Sequence, residues 1–342
     1  LLEIGRQIRP KIYDLQADYP PALVPRQRRF EVTERIGSMG EEITPLSDEE
    51  IARVVDEVIA ANVDSVAICL LFSFLNADHE TRIAEKLRNA APDLHVSVSC
   101  EVQPEFREYE RMSTTVLNGF LQPEVSHYMN RLQAELAARL PGASLGINQS
   151  NGGLMSIGQA AAYPIRTALS GPAAGVVGAV ATARRSGIGN VITLDMGGTS
   201  TDVCLIRDHE AQMTTGREVA GFPVRLPAVD IHTIGAGGGS IASFGADGLL
   251  MVGPDSAGAV PGPACYDRGG TLPTVSDANL VLGRLPRELV GGGMVLDEAA
   301  ARASIEPVAA TLGVSIEQAA MSIARIVASN MVRAIRLVSI ER

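Results

Sequence analysis

Apolar positions along this chain cluster in two ways. Residues 63–74 and 95–100 are short, nearly continuous apolar runs, the pattern of buried strands. Between them, residues 76–89 space their apolar side chains for a helix. Ser47 and Glu50 have capping-box spacing and open an earlier helix. Helix, strand, helix, strand in that order predicts an α/β unit with a mainly parallel sheet. Upstream, residues 1–46 carry prolines at 10, 20, 21, 25 and 45 and read as irregular. The exceptions there are an alternating strand over 30–36 and a turn at 37–40.

Downstream, a long helix is expected from about 105 to 140, with a break at Pro123, because an interior proline removes a backbone donor. A short strand at 145–147 and a helix with Ser170 at its N-cap follow. Two apolar runs, 191–194 and 203–206, then enclose a polar glycine-rich tip, which makes a hairpin. Residues 207–275 mix glycine, proline and short apolar runs, and read as strands and loops. Past Asp277 the chain is mostly helical: Ala319, Ile323, Ile326, Val327, Met331, Ala334, Ile335 and Val338 recur near helical spacing. A boundary is expected near 105–110, giving domains over 1–108 and 109–342.

The hairpin carries the chemistry. Asp195 ends the first run, Gly197 and Gly198 follow, then Thr199, Ser200 and Thr201, then Asp202. Glycines let backbone N–H groups approach an anion closely, hydroxyls add donors, and carboxylates suit a hard cation. The segment reads as a phosphate and Mg²⁺ loop between two strands. It is not a P-loop, since no lysine follows the glycines. Turn chemistry alone would account for the glycines, but not for two flanking carboxylates with three successive hydroxyls between them.

Other glycine-rich stretches keep two readings each. Gly235, Gly237, Gly238 and Gly239 begin like a dinucleotide fingerprint, yet Ser240 stands at its last glycine and no helix is promised after it. They form either a backbone wall beside a nucleotide or substrate, or a tight turn. The stretch after Ser170 either offers its first N–H groups to an anion or packs closely on a sheet. Asp230 and His232 share a strand face, as a site pair or as structural residues. The charged run 105–111 is a solvated face or a contact surface, and Ser276 and Asp277 suit a helix start, with a site role open to Asp277.

Composition narrows the class. The 342 residues are 46% hydrophobic and 20% charged, enough for a substantial core. A net charge of −10 with no basic stripe argues against a nucleic-acid surface. No apolar run reaches membrane-spanning length. Cys69, Cys100, Cys204 and Cys265 lie far apart, so neither zinc ligation nor a disulfide framework is supported, and a reducing cytoplasm fits. All four are expected to be free, with Cys69 and Cys204 buried.

The hairpin resembles the second phosphate motif of the actin, heat-shock chaperone and sugar-kinase superfamily. Further stretches resemble, in order, the hydantoinase A, 5-oxoprolinase and acetone carboxylase β-subunit family: 104–111 (PEFREYER), 149–153 (QSNGG), 170–175 (SGPAAG), 234–240 (IGAGGGS), 262–266 (GPACY) and 276–279 (SDAN). The likeness runs over essentially the whole chain. It implies a partial actin-like (ribonuclease H-like) ATPase fold, two lobes with mixed sheets flanked by helices. Members carry a first phosphate loop before the point matching Leu1 and an adenosine-contacting segment after Arg342, so an internal fragment, inactive alone, is implied. The resemblance further implies an ATP-dependent amidohydrolase subunit opening a hydantoin, N-methylhydantoin or 5-oxoproline through carbonyl phosphorylation. A hydantoinase B-like partner subunit or domain and an oligomer are implied with it. Asp195 and Asp202 would serve Mg²⁺ or orient the attacking group, and Gly197, Gly198, Thr199, Ser200 and Thr201 would contact phosphates. Two alternatives stay open: the ATP-using subunit of a ketone carboxylase, and a non-catalytic nucleotide-binding assembly subunit.

Overall fold

The computed structural model describes all residues except 7, 9–11, 15, 18–20, 290–292 and 341–342. Prolines 10 and 20 and the terminal Arg342, expected in irregular chain and at a helix end, lie outside the described residues. The chain divides into two compact units of mixed α/β structure. One comprises residues 1–174 with 213–229; the other comprises 175–212 with 230–342.

The first unit is built on two parallel strands, Ser65–Ile68 and His95–Val98, flanked by the helices Asp48–Ala60 and Asp78–Ala90. Val54, Val58, Ile83 and Leu87 from those helices bury against Ile68, Val96 and Val98. Phe30 and Val32 also pack on this core, although only Arg35–Ile36 of the expected strand pairs, with Glu42–Thr44. The Ser47 side chain accepts from the Glu50 amide at 3.2 Å. Glu50 does not reciprocate; it pairs with Arg53 and accepts from the Thr33 amide, and these partners hold its carboxyl down at about 2.

Both strands are shorter than the apolar runs that predict them, for one physical reason. After Ile68 the Leu70 amide donates to Glu80 Oε1 at 2.7 Å, and the Leu70 carbonyl accepts from Arg111 at 2.7 Å. After Val98 the Cys100 amide donates to Glu80 Oε2 at 2.9 Å. Backbone groups that would continue the ladder are satisfied by buried side chains, so residues 69–75 turn and Ser99–Val102 coils into a helical turn.

The long helix Glu108–Arg139 runs through Pro123 without the expected break. One backbone bond is lost there, but buried residues on both sides of the proline, from Arg111 to Met129, hold the two halves in the core. Residues 213–229 belong to this unit because Val224 and Leu226 bury against Val102, Leu117 and Ile165.

The second unit centres on an antiparallel sheet in the order 232–234, 201–207, 191–196, with a two-residue strand at 210–211 pairing the central strand. Every described sheet is wholly parallel or wholly antiparallel, not mixed. The helix Ile316–Ser339 opens with a full capping box between Ser315 and Gln318. It lays Ala334 and Val338 on Val203 and Leu205, while Ala319, Ile323 and Val327 join a larger core with Ile305, Val308 and Leu280. The helix Ser170–Arg185 starts at Ser170 itself, after Leu169 at φ 62°, so Ser170 is not its cap. Ala173, Val176 and Ala183 bury one side of it, whereas a Cβ on Gly171, Gly175 or Gly178 would meet nothing within 4 Å, so the helix packs by its alanine and valine side chains and not by its glycines.

All four cysteines are free; Cys204 and Cys265 are buried, whereas Cys69 is half-buried rather than buried. Burial, with Glu80 beside it, pushes the Cys100 thiol up to about 12. No described helix is long and apolar enough to cross a membrane.

Candidate functional site

Strands Val191–Met196 and Thr201–Arg207 pair in unbroken register, with Asp195 directly opposite Asp202 and Met196 opposite Thr201. Directly opposed residues share a face with Cβ atoms about 5 Å apart, so the two carboxylates stand side by side at the hairpin's mouth. Asp195 is exposed and Asp202 half-buried. On its other flank Asp202 faces Thr233, whose hydroxyl donates to Asp202 Oδ1 at 2.5 Å. Like charges placed directly opposite destabilise a sheet. The pair is therefore an electrostatic cost built into the strand ends.

The tip closes with the Gly197 amide donating to the Ser200 carbonyl at 2.9 Å. The amides of Gly198, Thr199 and Ser200 donate to no group among the described residues. The tip thus presents several free donors within a few residues of two carboxylates. The Thr199 hydroxyl accepts from Ser256 Oγ at 3.4 Å. Thr201 faces inward: it is fully buried and its hydroxyl donates to the Ala236 carbonyl.

The glycine stretch after Ile234 lies against this tip, backbone to backbone. The Gly238 amide donates to the Gly197 carbonyl at 3.0 Å, and the Gly239 amide to the Gly198 carbonyl at 2.6 Å. The Gly237 amide donates to Ser240 Oγ at 2.8 Å. The donors of Gly237, Gly238 and Gly239 are thus engaged within the protein, while Gly235 is exposed against Pro254. A Cβ on Gly237 would stand 2.6 Å from the backbone N and C of Thr199. One on Gly239 would meet the Gly198 carbonyl at 3.0 Å. Close approach, not a turn conformation, is what requires glycine here. Gly237→Ala is expected to displace the tip and cost about 1–3 kcal/mol in chemical denaturation. Gly178→Ala, in open space on a helix, should instead stabilise by about 0.4–1 kcal/mol. Equal stabilities for the two variants would show that contact with the tip does not set the glycine.

A second layer supports the glycines. The Ser276 amide donates to the Gly238 carbonyl at 2.7 Å, from the start of helix Val275–Val281. That helix is capped by Thr274, not Ser276, and Asp277 closes the capping box. Asp277 is wholly buried. It accepts from the Cys265 amide at 2.7 Å, the Ala264 amide at 3.3 Å and the Thr274 hydroxyl at 2.7 Å. Two of the sequence motifs, 262–266 and 276–279, are therefore joined in one structural clamp, with Asp277 bonded to Ala264, Cys265 and the helix cap Thr274.

Among the described residues no three His, Cys, Asp or Glu gather into a metal-binding cluster. Two adjacent carboxylates nonetheless fit Mg²⁺, which is commonly held by one or two carboxylates together with phosphate oxygens and water. Of the expected pair Asp230 and His232, only His232 lies on a described strand, opposite Val203, and Asp230 precedes that strand. The motif reading missed Thr233 and Ser256. Thr233 was legible only through the pairing register, and Ser256 lies in a separate strand, Leu250–Ser256, brought in by the fold.

Comparison with known proteins adds to this geometry. The Hydantoinase/oxoprolinase description matches residues 111–342, and the Hydantoinase/oxoprolinase N-terminal region matches residues 1–91. The chain is 42% identical to caprolactamase subunit alpha of Pseudomonas jessenii, over 95% of this chain and 47% of that one. It is 37% identical to the acetophenone carboxylase gamma subunit of Aromatoleum aromaticum, over 93% of this chain and 44% of that one. The crystal structure of ATP-dependent caprolactamase from Pseudomonas jessenii matches with a TM-score of 0.80 at 39% identity, covering 99% of this chain and 50% of that one. The chain spans about half the length of these relatives. A family match over most of the residues, with relatives of this identity along nearly the whole chain, makes it a member of the hydantoinase/oxoprolinase family.

Proposed function

We propose that this chain supplies the phosphate-binding hairpin of an ATP-dependent enzyme that opens a cyclic amide or imide, within a partial actin-like ATPase fold. One observation carries the reading: two directly opposed carboxylates beside a tip whose amides at 198–200 are free. A divalent cation held by Asp195 and Asp202 would offset the repulsion between them. Mg²⁺, when bound, offsets charge that develops on the transferred phosphoryl group. Asp195 and Asp202 would hold it, and Thr233 fixes the Asp202 carboxylate by its hydrogen bond. The free amides of Gly198, Thr199 and Ser200, with Gly197 beside them, would cradle phosphate oxygens, and Gly237, Gly238 and Gly239 brace them from behind, whereas Gly235 lies against Pro254. In this reading Thr201 anchors the tip to Ala236.

The reaction follows from the poor reactivity of an amide carbonyl. Transfer of the γ-phosphoryl group to the carbonyl oxygen forms an O–P bond and releases ADP. Water then adds to the ring carbon, the C–N bond breaks with the nitrogen taking a proton, and a second water hydrolyses the acyl phosphate. A hydantoinase B-like partner would complete the site, in keeping with relatives that are themselves named as subunits.

The likeness to a ketone carboxylase subunit supports a second reading, with bicarbonate and a ketone as reactants. Both are tested by assaying the intact protein with its partner against cyclic amides and ketones, with labelled bicarbonate. Ring opening coupled to ADP release, without label incorporation, is the expected result. Labelled carboxylate product would replace the first reading by the second. No ATP turnover with any substrate would leave only the assembly role.

A further inference from the structure

Within the second unit a cavity of about 400 Å³ lies where three elements meet. They are the strand His232–Ile234, the strand Leu250–Ser256 and the C-terminal half of the helix Ile316–Ser339. Strand 232–234 is the outer strand of its sheet, and among the described residues no further strand pairs with its open edge. The Asn330 carboxamide ties the helix to the second strand by donating to the Val252 carbonyl at 3.4 Å. Ile234, Ala236, Val252, Pro254, Ala334 and Leu337 give the cavity an apolar wall. A largely apolar hollow of this size with a few converging polar groups is the usual form of a small-molecule site.

The polar side chains are Arg333, Asn330 and His232. Arg333 is exposed and meets no carboxylate among the described residues, and the His232 ring makes no hydrogen bond among them. Asn330 has a second amide hydrogen to offer beyond its one long bond. No Asp or Glu lines the cavity, although the chain carries 39 acidic against 29 basic residues. A guanidinium left uncompensated in so acidic a chain makes this hollow a local centre of positive potential. The wall also runs directly into the support of the hairpin. The Ala236 carbonyl accepts from Thr201, and the next three residues are the glycines whose amides at 238 and 239 hold the tip.

We infer that this cavity binds an aliphatic monocarboxylate, with the carboxylate on Arg333 and Asn330 and the chain along the apolar wall. The planar guanidinium takes a carboxylate through two parallel N–H donors, and the spare Asn330 N–H adds another. An inorganic anion would satisfy the guanidinium and leave the wall in water. A neutral hydrocarbon would cover the wall and leave the guanidinium alone. An ion with an apolar body does both. Bound there, it joins the helix to the strand that leads into the glycine brace, and so stiffens the backbone behind the tip. The inference goes beyond the ring-opening reading and does not depend on it, since no lining residue is one assigned to Mg²⁺ or phosphate contact.

Calorimetric titration of the intact protein without ATP tests this with three probes: octanoate, acetate and octanamide. Octanoate should bind saturably. Each buried methylene is worth about fourfold in affinity, so acetate should not saturate where octanoate does. Octanamide keeps the chain but loses the charge-assisted pair, and should bind at least about tenfold more weakly. Arg333→Gln, at an exposed position, should erase the preference for octanoate over octanamide, and Leu337→Ala should weaken both. Hydrogen exchange with octanoate bound should slow at residues 232–236, 252–254 and 330–337. No saturable binding of octanoate, an unchanged preference in Arg333→Gln, unchanged affinities in Leu337→Ala, or protection confined to other segments overturns the assignment. ATP turnover is a separate readout: its absence would count against the enzymatic reading and leave this site standing.

Discussion

Asp202→Asn in the intact enzyme is expected to lower ATP turnover by roughly 10²–10³-fold, the usual cost of losing one preorganised charge contact. It should leave thermal stability unchanged or slightly raised. The reason lies in the two neighbours of Asp202 across the sheet. Toward Thr233 the side chain needs only an acceptor oxygen, which the asparagine carbonyl retains. Toward Asp195 the substitution removes a like-charge opposition, a relief of about 0.2–1 kcal/mol. A structural aspartate would behave differently: loss of activity would follow loss of fold. Opposite signs for stability and turnover are therefore the signature of a cation-binding pair. Turnover should be measured with saturating Mg²⁺ and stability by calorimetry without it. Wild-type turnover in the variant would remove Asp202 from the phosphate site.

The order of elements and the hairpin itself were legible in the sequence because both rest on local patterns. Apolar runs gave the strands around 65 and 95, and helical spacing gave the Ile316–Ser339 helix with the same inward residues. What was not legible depended on partners distant along the chain. The apolar run at 63–74 looks like one strand, but Glu80 and Arg111 take over its backbone bonds after Ile68. Ser276 looks like a helix cap, but Thr274 fills that place and Asp277 turns inward to bind amides 12 and 13 residues earlier. The glycines at 237–239 promise free amides, yet whether those amides face a ligand or the hairpin is decided by how closely two backbones approach. Nothing local marks residues 213–229 as part of the first unit; only the burial of Val224 and Leu226 does.

Arg111→Met is expected to destabilise the first unit by about 3–5 kcal/mol, the cost of leaving a buried charge without its partner. Arg111 is 1% exposed. Its guanidinium donates to the Leu70 carbonyl at 2.7 Å, to the hydroxyls of Ser73 and Ser99, and to Glu108, and it lies 5.7 Å from the Phe74 ring centroid. Glu80, wholly buried 3.8 Å away, accepts from the Leu70 and Cys100 amides and the Ser99 hydroxyl. Together the two side chains end both strands and hold the turn at 69–75. Methionine fills much of the arginine stem's volume, so the loss should reflect charge and hydrogen bonding rather than a cavity. The double variant Arg111→Met with Glu80→Gln separates these terms. If the stranded carboxylate is the main cost, the second substitution will recover part of the first, and the two effects will be strongly non-additive. Additive losses in urea denaturation would mean that the arginine acts by its contacts to Leu70, Ser73 and Phe74 alone, and that charge compensation does not hold this turn.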